Sequence, residues 1–274
     1  MTVVYIIIGT LLLAAACVLF CVFPSRRKTD FFQKNKYFAH RGLHDNALIP
    51  ENSLAAFALA AEKGYGIELD VHITSDGKLV VFHDDDTLRM CGEKLTPEKV
   101  TFDRLRELSL LNTKEKIPSF GEVLSLVAGR VPLIIEIKGV TSDTAVCALT
   151  AEELSRYGGE YCVESFNPLY MGWWRKHRPD DVRGQLSCKM PKQKGIVNKL
   201  KFAALGNLLL NFISRPDFIA YDRNGSGRIA FRLARALGGI PVAWTIRTAG
   251  ELEKAKKDFV SFIFENEEDT LKNR

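Results

Sequence analysis

Cysteine is sparse and irregularly placed in these 274 residues. Of the six, Cys17 and Cys21 lie in an apolar run, while Cys91, Cys147, Cys162 and Cys188 are scattered. None has the close spacing of a zinc site or a redox pair, so no disulfide framework is implied and the thiols read as small buried hydrophobes. A Gly-rich phosphate turn is also missing, which argues against a doubly wound open sheet. Helix-turn-helix, zinc-finger and RNA-binding signatures are absent too. The net charge of +5 is therefore no nucleic-acid footprint, and nucleic acid is not an expected partner.

Charge is missing altogether from residues 3–23, an almost unbroken apolar stretch. At about 20 residues it has the length a helix needs to cross a bilayer. A cleaved secretory signal would open with basic residues and have a shorter apolar centre, and no Lys or Arg precedes this one. Ala14-Ala15-Ala16-Cys17 faintly resembles a lipoprotein cleavage box but lies mid-span. The stretch reads as an uncleaved anchor over residues 1–24, followed by a basic linker over 25–36. Arg26, Arg27 and Lys28, reinforced by Lys34 and Lys36, put the rest of a single-pass membrane protein on the cytoplasmic side by the positive-inside rule.

What remains is an alternation of β-rich runs with amphipathic segments, the signature of a parallel sheet covered by helices. Nine runs stand at residues 37–39, 67–71, 79–82, 133–137, 161–163, 182–186, 218–221, 242–246 and 260–264. They suit an eight-stranded α/β barrel of the TIM type over residues 37–274, whose final run closes the ring or pairs at its edge. Helices are expected over 51–63, stopped by Gly64, from a Ser119–Glu122 capping box to 128, and over 144–156, 228–237 and 249–257. Only eight residues separate Asp70 from Leu79, too few for a crossover helix. A hairpin or an extended return must bridge them.

In such a barrel the chemistry lies at the C-terminal ends of the strands. His40 and Arg41 follow the first run, Glu68 and Asp70 end the second, His83 the third, and Glu136 and Lys138 the fourth. Two histidines, several carboxylates and two cations are what a metal-assisted phosphodiesterase needs: a proton donor, a proton acceptor and positive charge for the phosphoryl group. Singly, each has a blander explanation. A strand-end histidine is more often a hydrogen-bonded core residue, and Glu136-Ile137-Lys138 alone is an ordinary ion pair. Burying all of them at one rim is costly unless they serve a site.

Read as motifs, His-Arg-Gly at 40–42, Pro-Glu-Asn at 50–52, Gly-Ile-Glu-Leu-Asp-Val at 66–71, Thr-Ser-Asp-Gly at 74–77, Val-Val-Phe-His-Asp at 80–84, Ile-Pro-Ser-Phe-Gly-Glu-Val-Leu at 117–124, Glu-Ile-Lys at 136–138 and Trp-Thr at 244–245 resemble the glycerophosphodiester phosphodiesterase family. The resemblance runs over roughly residues 37–264. It implies the barrel and the hydrolysis of glycerophosphodiesters to glycerol 3-phosphate and an alcohol. It also implies His40 and His83 as the acid-base pair and Glu68, Asp70 and Glu136 as ligands of a divalent metal. Three carboxylates suit Mg²⁺ or Ca²⁺ better than zinc. Arg41 and Lys138 would grip phosphate oxygens, Glu51 the glycerol hydroxyls or the metal, and Phe166 and Trp244 would wall the glycerol.

Two positions depart from the family pattern. Arg247 stands where Asn is common after Trp-Thr, and Phe262-Ile263-Phe264-Glu265-Asn266 stands where an Asp-bearing motif is usual. Residues 189–215 form an insert in which Lys189, Lys192, Lys194, Lys199 and Lys201 lead into Leu205, Leu208, Leu209, Leu210, Phe212 and Ile213. It reads equally as an interfacial segment on anionic lipid or as a helix packed over the barrel. The interfacial version adds membrane lipid as a partner and lysophospholipids as substrates. Two further alternatives are a phospholipase C-like lyase ending at a cyclic phosphate and an inert membrane-bound binding barrel.

Overall fold

The computed structural model describes residues 1–139, 142–190 and 194–271; Lys192 of the insert and the last three residues of the barrel segment lie outside them. Nine strands run β1 Tyr37–Ala39, β2 Gly66–Ile73, β3 Leu79–Val81, β4 Leu133–Ile137, β5 Tyr161–Ser165, β6 Val182–Ser187, β7 Phe218–Asp222, β8 Ile240–Ile246 and β9 Ser261–Phe264. Eight of them are parallel. β1 pairs with both β9 and β2, so the ring of β1, β2 and β4 to β9 closes into a TIM barrel. The ninth run is thus resolved: the last strand closes the ring, and the supernumerary one is β3, antiparallel to β2.

That hairpin matters for function. β2 runs three residues past Asp70, which pairs with Glu136 at the rim, and β3 brings the chain back until the Phe82 N–H donates to the Asp70 carbonyl at 3.0 Å. His83 therefore arrives level with Asp70 although no crossover helix lies between them. A satellite core of Val80, Phe82, Met90, Leu105, Leu110 and Ile117 supports this arm.

The expected helices form, with ends drawn in. The segment after Pro50 becomes helical at Leu54–Glu62, once Ser53 caps the Ala56 N–H at 3.1 Å. Ser119 and Glu122 make the reciprocal capping box of helix Phe120–Val127. Helix Pro168–His177 was not foreseen; Pro at its first turn and Asn167 as cap were its signals.

Two apolar layers hold the barrel. One lies between strands and helices, and the other fills the interior with Phe38, Ile134, Cys162, Leu186, Phe218 and Val242. Helix α1 (Thr2–Val22) is exposed over nearly all its length and touches the body only through its last turn. The linker after it is docked on the barrel floor. The Ser25 N–H donates to the Pro216 carbonyl at 2.8 Å, Arg27 pairs with buried Asp217, and the short helix α2 (Phe31–Lys34) plugs the floor with Phe32 at 4.7 Å from the Phe218 ring. In the insert, helix Ile196–Gly206 leaves Ile196, Val197 and Leu200 exposed, whereas Leu208 is buried and Ser187 and Tyr221 hold the helix end through the Leu205 and Gly206 carbonyls.

Candidate active site

The rim opposite the floor gathers the titratable groups. His40 and Arg41 leave β1 in a tight turn, Arg41 at φ 55° and Gly42 at φ 79°. A Cβ on Gly42 would meet the Ala56 Cβ at 2.8 Å, so glycine is required for the turn to lie against the following helix. The turn aims the Arg41 N–H at the Glu68 carboxylate, 3.0 Å away. Glu68 and Asp70 alternate inward on β2, and Glu136 stands beside Asp70 on β4.

Glu68, Asp70 and Glu136 are buried, with one carboxylate oxygen from each within 4.8 Å of the others. Lys138 Nζ lies 2.8 Å from both Asp70 and Glu136, and Asn52 donates to Asp70 at 2.8 Å. Sequence reasoning missed Glu164, which pairs with Glu136 across β4 and β5, is buried and leaves Oε2 with no hydrogen-bond partner. Its signal was an acidic residue among the β-rich residues at 161–165.

The electrostatics of this cluster are unbalanced. Burial, then the neighbouring carboxylates, pushes Glu68 and Glu164 well above the usual range, and burial against the pull of Lys138 takes Glu136 to about 7. Asp70 is buried as well, but Lys138, His83 and Arg41 hold it well below. Four carboxylates face two cations, Arg41 and Lys138. The acids outnumber the cations, and an all-oxygen donor set with an orphaned Oε2 fits a hard cation such as Mg²⁺ or Ca²⁺. Glu51, His83 and Asp84 form a second group of similar dimensions, but Arg89 already bonds both acids.

Each histidine is held the same way. His40 Nδ1 lies 2.6 Å from Glu265, whose other oxygen accepts from Arg247 Nε at 2.7 Å. His83 Nδ1 lies 2.7 Å from Asp84, whose other oxygen accepts from Arg89 Nε at 2.7 Å. A carboxylate on Nδ1 fixes the neutral tautomer and leaves Nε2 as an acceptor. Burial lowers both histidines, His40 to about 4 despite Glu265. Burial alone would raise Glu265, but the bonds from His40 and Arg247 hold it down at about 2, so it is ionised at neutral pH. The two departures from the family pattern thus bond each other, and one of them orients His40.

The remaining expected residues share the rim. Glu51 binds Arg41 at 2.7 Å, Arg89 at 2.6 Å and Asn46 at 2.8 Å, so its carboxylate is already engaged. Phe166 and Trp244 meet edge to face with centroids 5.7 Å apart, and the buried Trp244 Nε1 has no acceptor. His44, unmarked before, also has both ring nitrogens buried without a partner.

Comparison with known proteins shows the family of the chain. A model of the glycerophosphoryl diester phosphodiesterase family matches residues 40–257. A glycerophosphodiester phosphodiesterase of Caldanaerobacter subterraneus subsp. tengcongensis is 28% identical over 252 residues, covering 88% of this chain and 97% of its own length. Glycerophosphodiester phosphodiesterase 1 of Bos taurus is 32% identical over 288 aligned positions, covering 89% and 82%. In fold, the chain resembles a phosphodiesterase from Oleispira antarctica solved with its product sn-glycerol-3-phosphate, with TM-score 0.69, 20% identity, and 85% and 94% of the two chains covered. With the family model spanning most of its length, the chain belongs to the glycerophosphoryl diester phosphodiesterase family and is an enzyme of that class.

Proposed function

We propose a membrane-anchored, divalent-metal-dependent enzyme that splits glycerophosphodiesters into glycerol 3-phosphate and an alcohol, with His40 and His83 exchanging the protons. The observation that carries this reading is the pair of carboxylate-held imidazoles beside one buried cluster of Glu68, Asp70 and Glu136. The product in the Oleispira antarctica complex, sn-glycerol-3-phosphate, fits the same chemistry.

Glu68, Asp70 and Glu136 would hold the cation, with Glu164 beside them. When bound, it supplies Lewis-acid neutralisation of phosphate charge. Arg41 and Lys138 add positive charge at the same rim. His40, kept neutral by burial, accepts at Nε2 the proton of the attacking oxygen, from water or from the adjacent glycerol hydroxyl. His83 acts in its protonated form, which the nearby Asp70 and the Asp84 bond favour against burial, and gives its Nε2 proton to the departing alkoxide, returning to the neutral ring. Phe166 and Trp244 wall the glycerol and keep water from the leaving side. Leu48, Leu88, Leu169, Ile196, Val197 and Ile229 are exposed on segments that follow C-terminal strand ends, which favours lysophospholipids as additional substrates.

Helix α1 serves as a single-pass anchor, and the basic residues after it favour a cytoplasmic barrel. Phosphorus NMR of glycerophosphocholine turnover tests the assignment. The expected product is glycerol 3-phosphate, and His40→Ala and His83→Ala each lower turnover by roughly 10²–10⁴-fold with the far-UV dichroism retained. A terminal cyclic phosphate would make the protein a lyase, and unchanged turnover in both variants would remove the histidines from the chemistry.

A further inference from the structure

The junction between α1 and the barrel floor, at the end opposite the catalytic rim, holds a cavity of about 490 Å³. Arg26, Arg175, Arg183 and Arg215 line it together with Phe20 and Phe23. Among the described residues no carboxylate lines it. Arg183 has Asp217 only at 4.0 Å, and that acid is bonded by Arg27. Among the described residues no acidic side chain pairs with Arg26, Arg175 or Arg215.

The guanidinium groups are nevertheless fixed in place. Arg215 Nη1 donates to the Phe20 and Phe23 carbonyls at 2.9 and 2.8 Å, capping the last turn of α1. Arg175 Nη1 donates to the Phe212 and Ile213 carbonyls, and Arg183 to the Ser214 and Arg215 carbonyls. Arg175 and Arg215 spend only Nη1 in this way and leave Nε and Nη2 free, whereas Arg183 is engaged at all three nitrogens, its Nη1 reaching the Pro179 carbonyl at 3.4 Å. Arg26 and Arg215 also stack on aromatic faces, Arg26 at 5.2 Å from the Phe23 centroid and Arg215 at 4.7 Å from that of Phe20. Burial lowers Arg183 despite the nearby Asp217, and burial together with the charge of Arg175 lowers Arg215.

Preorganised guanidinium forks match the geometry of a phosphate. Here they adjoin the exposed apolar flank of α1, which begins at Phe20. A free phosphate would use only the arginines, whereas a phosphate carrying acyl chains uses both surfaces. We propose that this junction binds the phosphate of an anionic phospholipid, with Arg26, Arg175 and Arg215 on the head group and Phe20 beside its first apolar carbons. The site rests on the reading of α1 as a membrane span. It is separate from the substrate site, and it fixes the barrel floor towards the bilayer surface.

The test uses the full chain. Carbonate extraction of membranes first checks the anchor: release of the wild type would overturn that reading and this proposal with it. For the integral protein in detergent, native mass spectrometry counts phosphatidylglycerol against phosphatidylcholine adducts, with and without millimolar inorganic phosphate. The expected result is one retained phosphatidylglycerol that phosphate does not displace and that Arg26→Gln/Arg175→Gln loses about tenfold. Membrane integration and turnover of glycerophosphocholine should be unchanged in that variant. Equal retention by the variant, no preference over phosphatidylcholine, or full displacement by phosphate would overturn the lipid site.

Discussion

At the scale of single residues, the proposed proton exchange depends on which nitrogen of each imidazole faces the substrate. Glu265 decides this for His40, because an ionised carboxylate at 2.6 Å keeps the proton on Nδ1. Glu265→Gln presents an amide that bonds either tautomer, so kcat should fall by ~10²-fold with KM little changed; an unaltered kcat would make the contact merely structural. His40 also carries a stability signature. Its folded value of about 4 lies below the ordinary 6.5, so the unfolded chain binds the extra proton between those two pH values. The stability due to neutral His40 is complete above pH 6.5 and lost as pH falls through 4, by at most about 3 kcal/mol. Urea unfolding at several pH values should show this slope in the wild type and a flatter one in His40→Asn.

At the scale of elements, the turn after β1 and the β2–β3 hairpin place the chemistry. Gly42→Ala puts a methyl against Ala56 at a left-handed φ and should cost about 1–3 kcal/mol in urea unfolding, with activity lost as the Arg41 N–H leaves Glu68. Most strands were legible because buried parallel strands are short continuous apolar runs, such as 133–137, with polar residues only at the functional end. The capping box at Ser119 was legible for a similarly local reason. For β3 the sequence left a hairpin and an extended return both open, since the apolar run 79–82 looks the same inside a ring or on an arm, and only the pairing of Val71 with Val81 decides for the hairpin. Glu164 and the Glu265–Arg247 pair escaped because their significance lies in partners distant in sequence: Glu164 is read only beside Glu136, and Glu265 only beside His40. The segment read as a basic linker is fastened through Arg27 and Phe32, contacts that no local pattern announces.

At the scale of the whole molecule, the barrel separates two charge problems at its two ends. The floor gathers arginines beside an apolar helix, and the rim buries carboxylates around too few cations. The rim can be balanced by protons or by a metal, and only the metal also neutralises a phosphodiester. That requirement is measured most directly by phosphorus NMR of glycerophosphocholine turnover in the metal-stripped full chain, titrated with Mg²⁺ or Ca²⁺. The account expects no turnover without the ion, recovery on adding it, and little recovery in Glu68→Gln or Glu136→Gln. Full turnover in the presence of excess chelator would contradict it.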